Sequence, residues 1–217
     1  GVVASSPSKR VTPHLLRLRS LPPLSLYIHI PWCVRKCPYC DFNSHEARGT
    51  LPWREYVDAL IADFDQTLPR VWGRRLGTVF FGGGTPSLLP AEGVDTLLAA
   101  VRARMPLAPD AEVTLEANPE ASDAARFRGY VEAGVNRLSL GVQSFEPGVL
   151  SALGRRHSPD DAARAVERFE DSLRLNPDQE IAHFNLGWLR VVSDPAKAEV
   201  NFRAALRLVP DKGAAYF

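Results

Sequence analysis

Cys33, Cys37 and Cys40 are the residues whose type and spacing can do chemistry: they form a C-x3-C-x2-C run, and the 217 residues hold no other cysteine. Three thiolates on one short loop can hold three corners of a cubane iron–sulfur cluster, which leaves the fourth iron to a non-cysteine ligand. An iron with an open position is a place for a reaction. Two other readings stay open on spacing alone. His29, Asp41 or His45 could complete a four-ligand zinc site, although the second cysteine pair of a zinc ribbon is missing. The thiols could also be inert or redox-active, but an odd count in a chain this long does not suit a disulfide framework.

Three further segments place glycines or polar residues where strands end. Phe80-Phe81-Gly82-Gly83-Gly84-Thr85-Pro86-Ser87 would let backbone approach a ligand closely, because glycine has no Cβ. It matches neither the P-loop nor the dinucleotide-binding pattern, and by itself a plain strand-to-helix turn explains it equally well. Thr114-Leu115-Glu116-Ala117-Asn118-Pro119-Glu120 and Gly134-Val135-Asn136-Arg137-Leu138-Ser139-Leu140-Gly141-Val142-Gln143-Ser144-Phe145 follow. Taken with Leu26-Tyr27-Ile28-His29-Ile30-Pro31-Trp32-Cys33 and Cys37-Pro38-Tyr39-Cys40-Asp41-Phe42-Asn43-Ser44-His45, these segments resemble, in order and spacing, the radical S-adenosylmethionine family over about residues 24–166. Within it the chain is similar to the heme-chaperone branch, often labelled oxygen-independent coproporphyrinogen oxidase-like. In the decarboxylating relatives the cysteine motif continues to another cysteine two residues on; this chain has Phe42 there, which favours the chaperone branch.

The resemblance carries specific expectations. It implies a 4Fe-4S cluster on Cys33, Cys37 and Cys40, with S-adenosyl-L-methionine chelating the unique iron and yielding a 5′-deoxyadenosyl radical on reduction. It implies that Gly83, Gly84 and Thr85 contact the methionine portion, that Glu116, Gln143 and Arg155 contact nucleoside and carboxylate groups, and that Tyr27 and Tyr39 flank the cluster. A guanidinium suits a carboxylate because its planar fork can bind both oxygens. Taken singly, each of these residues is an ordinary surface or packing residue. His29 reads as a satisfied, half-buried histidine on a strand and is left out of the site. The implied task lies in heme or porphyrin metabolism, with heme and heme-accepting apo-proteins as partners, and any catalysis would be of the coproporphyrinogen III oxidase-like type. The carboxy-terminal part thought to carry heme in that branch is not recognisable here.

The elements that must position these residues follow from hydrophobic periodicity. Short β-rich runs at Leu24–Ile30, Leu76–Phe81, Ala111–Ala117 and Asn136–Val142 alternate with helical patterns near Trp53–Leu68, Ala91–Met105 and Ser122–Ala133. Repeated βα units build parallel sheets or barrels, and each motif stands at or just after the C-terminal end of a strand, the face where barrel enzymes assemble their sites. The expected fold is α/β, a partial radical S-adenosylmethionine (β/α) barrel over 24–166 followed by an all-α segment over 167–217. Four strands alone are expected to leave a parallel edge and an apolar interior open.

From about Glu167 the character changes. A 33-residue offset aligns Ala165 with Ala198, Phe169 with Phe202, Ser172 with Ala205, Pro177 with Pro210, and Ala182-His183-Phe184 with Ala215-Tyr216-Phe217. Such a repeat resembles tetratricopeptide helix pairs, which bind peptides or proteins. No linker separates it from the barrel pattern, whereas domain boundaries normally fall in exposed polar stretches. The joint near 166–168 therefore reads as a truncated or chimeric frame; in a genuine fusion the helices would cover the open barrel edge.

Bulk features bound the remaining possibilities. A formal net charge of +1 offers no electrostatic case for nucleic-acid binding, and no apolar run approaches the length of a membrane span. Residues 1–23 hold Lys9, Arg10, Arg17 and Arg19 and no acidic residue, which suits a basic leader to a cytoplasmic barrel, a composition that organelle transit segments share. Cluster-bearing thiolates also require a reducing compartment.

Overall fold

The computed structural model describes residues 20–119, 124–164 and 195–208. Four strands, β1 (Leu24–Ile30), β4 (Leu76–Gly83), β5 (Leu107–Ala117) and β6 (Arg137–Leu140), form one parallel sheet in the order β1-β4-β5-β6. Between them run α1 (Trp53–Thr67), α2 (Ala91–Arg104) and α3 (Ala124–Ala133). Strand order advances in one direction without reversal. With crossovers of a single hand, that progression puts every helix on the same side of the sheet, which is the construction of a barrel wall rather than of a doubly wound sheet. Strand and helix positions match the sequence expectation, with β4 and β5 extending two and four residues further at one end and β6 stopping short at both.

The apolar side chains divide accordingly. Ile28, Ile30, Val79, Phe81, Val113, Leu115 and Ala117 alternate along three strands and bury themselves against Val57 of α1, Val94, Leu97 and Leu98 of α2 and Tyr130 of α3. Residues between them face the other way and lie side by side in register. One row is Ser25, Thr78 and Glu112; the next is Tyr27, Phe80, Thr114 and Arg137. This second face is mostly polar and internally bonded: Thr78 Oγ1 donates to Ser25 Oγ at 2.8 Å, and Arg137 donates to Glu112 at 2.9 Å. The apolar interior expected for an open four-strand barrel is therefore not what the described residues present. Packing against the helices takes up the aliphatic residues of the period-2 alternation and leaves hydroxyls and charges for the other face.

Below the helices, Tyr130 ties α3 to the β4–α2 connection. Its hydroxyl lies 2.9 Å from both the Ser87 and Leu89 carbonyl oxygens, and its ring is fully buried. Two short strands complete the scaffold, β2 (Trp32–Cys33) and β3 (His45–Glu46), paired in parallel around the cysteine loop. Periodicity could not reveal them, because two residues show no period. After β6 come α4 (Pro147–Ala152) and a helical stretch from residue 159. Ser158 and Asp161 exchange backbone and side-chain hydrogen bonds there as a capping box, which holds the Asp161 carboxyl below its ordinary value.

The joint near 166–168 and most of the 33-residue repeat lie outside the described residues. Within them is one helix, Pro195–Leu208, which opens on proline and carries a Glu199–Arg203 pair.

Burial pushes the Tyr130 phenol up to about 12. An unfolded phenol ionises near 10, so the unfolded state loses its proton first as pH rises, and stability should fall between about pH 10 and 12 at up to about 1.4 kcal/mol per pH unit. Tyr130→Phe should make that decline shallower, the raised phenols of Tyr27, Tyr39 and Tyr56 supplying the remainder, while costing about 1–3 kcal/mol at neutral pH, as read by urea unfolding.

Candidate functional site

The chain leaves β1 at Ile30 and enters the cysteine loop through Pro31 and β2. Four backbone bonds fasten the loop's base: Gly84 N–H to Ile30 O (2.8 Å), Thr85 N–H to Trp32 O (2.7 Å), His45 N–H to Pro31 O (2.7 Å) and Ala47 N–H to Cys33 O (2.8 Å). The first two dock the end of β4 directly onto the loop. A Cβ on Gly84 would lie 2.6 Å from Trp32 O and 2.9 Å from Cys33 Sγ, so only glycine permits the approach. Within the loop, Cys40 N–H bonds Cys37 O at 3.1 Å to close a turn, and Lys36 Nζ donates to the Phe42 and Ser44 carbonyls at 3.0 and 3.3 Å. Cys33 is buried; Cys37 and Cys40 are half-buried.

The segment after α4 meets this loop from the opposite side. Gly154 adopts φ +66° and packs against Pro38, where a Cβ would approach Cδ to 2.9 Å. Arg155 then reaches across, its NH1 lying 3.6 Å from Cys37 Sγ and its NH2 donating to Asn118 Oδ1 at 3.0 Å and to Gly141 O. His157, buried, anchors the segment through Nε2 to Val142 O at 2.7 Å.

These contacts enclose a cleft of about 430 Å³ at the C-terminal ends of the strands. Cys33, Cys37, Cys40, Tyr39, Gly83, Gly84, Thr85, Glu116, Gln143 and Arg155 all line it. Tyr27 does not. It lies one row down the polar face, stacked on Phe80 and bonded to His29 Nδ1 at 3.0 Å. His29 is satisfied as expected: its Nε2 meets the Asn43 carbonyl at 2.7 Å, so Nε2 carries the proton and Nδ1 accepts from the Tyr27 hydroxyl. No three His, Cys, Asp or Glu side chains among the described residues gather closely enough to share one metal ion.

Burial works against the charged forms of the carboxyl and phenol groups around the cleft. Burial raises the Glu116 carboxyl, against a hydrogen bond from the Gly83 backbone N–H that lowers it. Tyr39 is raised by burial, with Arg155 pulling it partly back, and Tyr27 is raised by burial and by the Glu116 charge. Arg155 Nε is buried without a partner, an unspent donor at the wall of the cleft.

Sequence reasoning passed over two features. Asn118 and Ser139 also line the cleft, although Asn118 stands two residues past Glu116 in a quoted motif, and period-2 alternation puts that pair on one side of the strand. Gln143 holds φ +66°, a left-handed conformation costly for a residue with a Cβ and one that concentrates at functional sites. Gln–Ser after a strand gives no sequence signal for it.

The Radical SAM superfamily model matches residues 27–175. The chain belongs to this family. Radical SAM relatives include the heme chaperone HemW of Escherichia coli (strain K12), 58% identical over 147 residues, which are 68% of this chain and 39% of that protein. The mitochondrial radical S-adenosyl methionine domain-containing protein 1 of Bos taurus is 41% identical over 175 residues, covering 76% of this chain and 38% of the relative. Among solved structures, the coproporphyrinogen III oxidase HemN from Escherichia coli, described as a radical SAM enzyme, superposes with a TM-score of 0.61 at 30% identity, over 67% of this chain and 33% of that one. The chain thus spans about two fifths or less of the length of these relatives, and the shared part is the radical SAM barrel wall with its parallel sheet.

Two outcomes are expected. Gly84→Ala should destabilise the fold by about 1–3 kcal/mol in urea unfolding, because its Cβ meets backbone that cannot move aside. Glu116→Gln should gain stability relative to the parent at neutral pH and none below pH 4.5. The raised carboxyl begins to penalise the fold as pH climbs past its ordinary value, where the unfolded chain ionises first, and the penalty is complete above its folded value. Urea midpoints at acidic and neutral pH read the difference.

Proposed function

We propose that this chain holds a 4Fe-4S cluster on Cys33, Cys37 and Cys40 and binds S-adenosyl-L-methionine in the adjoining cleft, as the radical SAM part of a heme-chaperone or coproporphyrinogen oxidase-like protein of heme or porphyrin metabolism. The observation that carries this is the convergence of four separated motifs on one cleft beside three free thiols. Three cysteines on one loop suit three corners of a cubane, and the second cysteine pair of a zinc ribbon is missing. A cleft of about 430 Å³ lies in the usual range for a small cofactor. The unpaired Arg155 Nε offers a donor for an anionic oxygen. When bound, a cluster and S-adenosylmethionine together supply one-electron radical chemistry.

The chain's own residues would bind and orient. Gly84 and Thr85 bring the end of β4 against the cysteine loop; Gly83 donates its N–H to Glu116, leaving that carboxyl as an acceptor for ribose hydroxyls. Tyr39 would shield the loop's open side, and Tyr27 would stand one row below the bound group. Heme and heme-accepting apo-proteins belong to the same proposal, supported by the 58% identity to a heme chaperone. So do the reducing, cytoplasmic location and the division into 1–23, 24–166 and 167–217, the last a tetratricopeptide-like partner-binding segment supported by the 33-residue register. No helix among the described residues is long and apolar enough to cross a membrane.

Anaerobic reconstitution should load about four irons per chain, and the reduced-cluster electron paramagnetic resonance signal should change on adding S-adenosylmethionine. Cys40→Ala should abolish that response. An intact response in this variant, or one zinc bound in place of iron, would overturn the proposal.

A further inference from the structure

Asn118 bridges two of the proposed cofactor contacts that come from different parts of the chain. Its Oδ1 lies 3.0 Å from Arg155 NH2, and its Nδ2 lies 3.4 Å from Thr85 Oγ1. The orientation of the amide is not arbitrary. A guanidinium only donates, so the oxygen of Asn118 must face Arg155, and the NH2 group is left to face Thr85.

Consequences run in both directions. Arg155 NH2 spends its two hydrogens on Asn118 and the Gly141 carbonyl, which fixes the guanidinium plane and leaves Nε–H as the buried donor without a partner. Gly141 makes the arrangement fit: a Cβ there would lie 3.1 Å from Arg155 NH2 and 3.3 Å from Asn118 Oδ1. At the other end, Thr85 Oγ1 accepts from Asn118, so its own hydrogen is turned away from the amide and free to donate. Thr85 is 5% exposed and lines the cleft. One side chain thereby fixes the direction in which both neighbours can donate.

We infer that Asn118 is a positioning residue that sets Arg155 and Thr85 as hydrogen-bond donors toward a carboxylate in the cleft. This deepens the proposed S-adenosylmethionine site and rests on it only for the identity of the carboxylate. The geometric part stands without any ligand. Asn118→Ala removes both contacts. Asn118→Asp keeps an acceptor for Arg155, but the introduced carboxylate has no donor for Thr85. The Thr85 hydroxyl must then donate to that carboxylate and is lost to the cleft.

The test uses the full chain with its thiols kept reduced, and reads the Arg155 Nε–H resonance in nitrogen-15 spectra, assigned by its disappearance in Arg155→Lys. The parent should show a slowly exchanging Nε–H signal. Asn118→Ala should lose it, and Asn118→Asp should retain it, with urea midpoints confirming that both variants are folded. After cluster reconstitution, calorimetry should show S-adenosylmethionine binding weakened about tenfold or more in both variants, the cost of a lost hydrogen bond to a charged group. An Arg155 signal unchanged in Asn118→Ala, or lost in Asn118→Asp, overturns the inference. A parent chain that fails to bind S-adenosylmethionine while the Arg155 signals behave as stated overturns the proposed function and leaves the positioning role standing.

Discussion

The close backbone approach between the end of β4 and the start of the cysteine loop is the constraint on which the rest of the site depends. Gly84 and Thr85 donate their N–H groups to Ile30 and Trp32, and the absence of a Cβ at Gly84 lets the two strands' extensions touch. Cys33 is held against this junction. Without it Cys33 would lose its anchor, Cys37 and Cys40 would ride on the eleven-residue excursion between β2 and β3, and nothing local would set their distance from Glu116 or Arg155.

That junction is possible because the sheet delivers both strand ends to one level. β1 and β4 pair in parallel over Tyr27–Phe80, Ile28–Phe81, His29–Gly82 and Ile30–Gly83, so their C-termini finish together. The helices bury the aliphatic side of the sheet and clamp this register, since a one-residue slip would turn every buried side chain outward. The polar side is free to carry Tyr27, Glu116 and the Glu112–Arg137 pair. Stability and chemistry are thus separated by the pleat.

Polar groups in the cleft are arranged as a chain rather than as isolated residues. Thr85, Asn118, Arg155 and Cys37 connect the ends of β4 and β5, the segment after α4, and the cysteine loop. A partly buried network of this kind tolerates few substitutions, because each member satisfies another's donor or acceptor in a setting poor in water.

Much of this was legible from sequence. Alternating aliphatic runs located the four strands to within a few residues, and ten of the eleven residues singled out line one cleft. Residue type and spacing determined that three thiols share a loop and that glycines precede Thr85, because these are local properties of the chain. Tertiary structure decided the rest. It brought Arg155 to Cys37 across 118 positions of sequence, set Tyr27 below the cleft instead of in it, gave the sheet a polar second face, and put Gln143 in a left-handed conformation. The physical reason is that contacts across such separations follow from strand register and from which pleat side is buried, and those are chosen by packing of the whole sheet against its helices, not by any one segment.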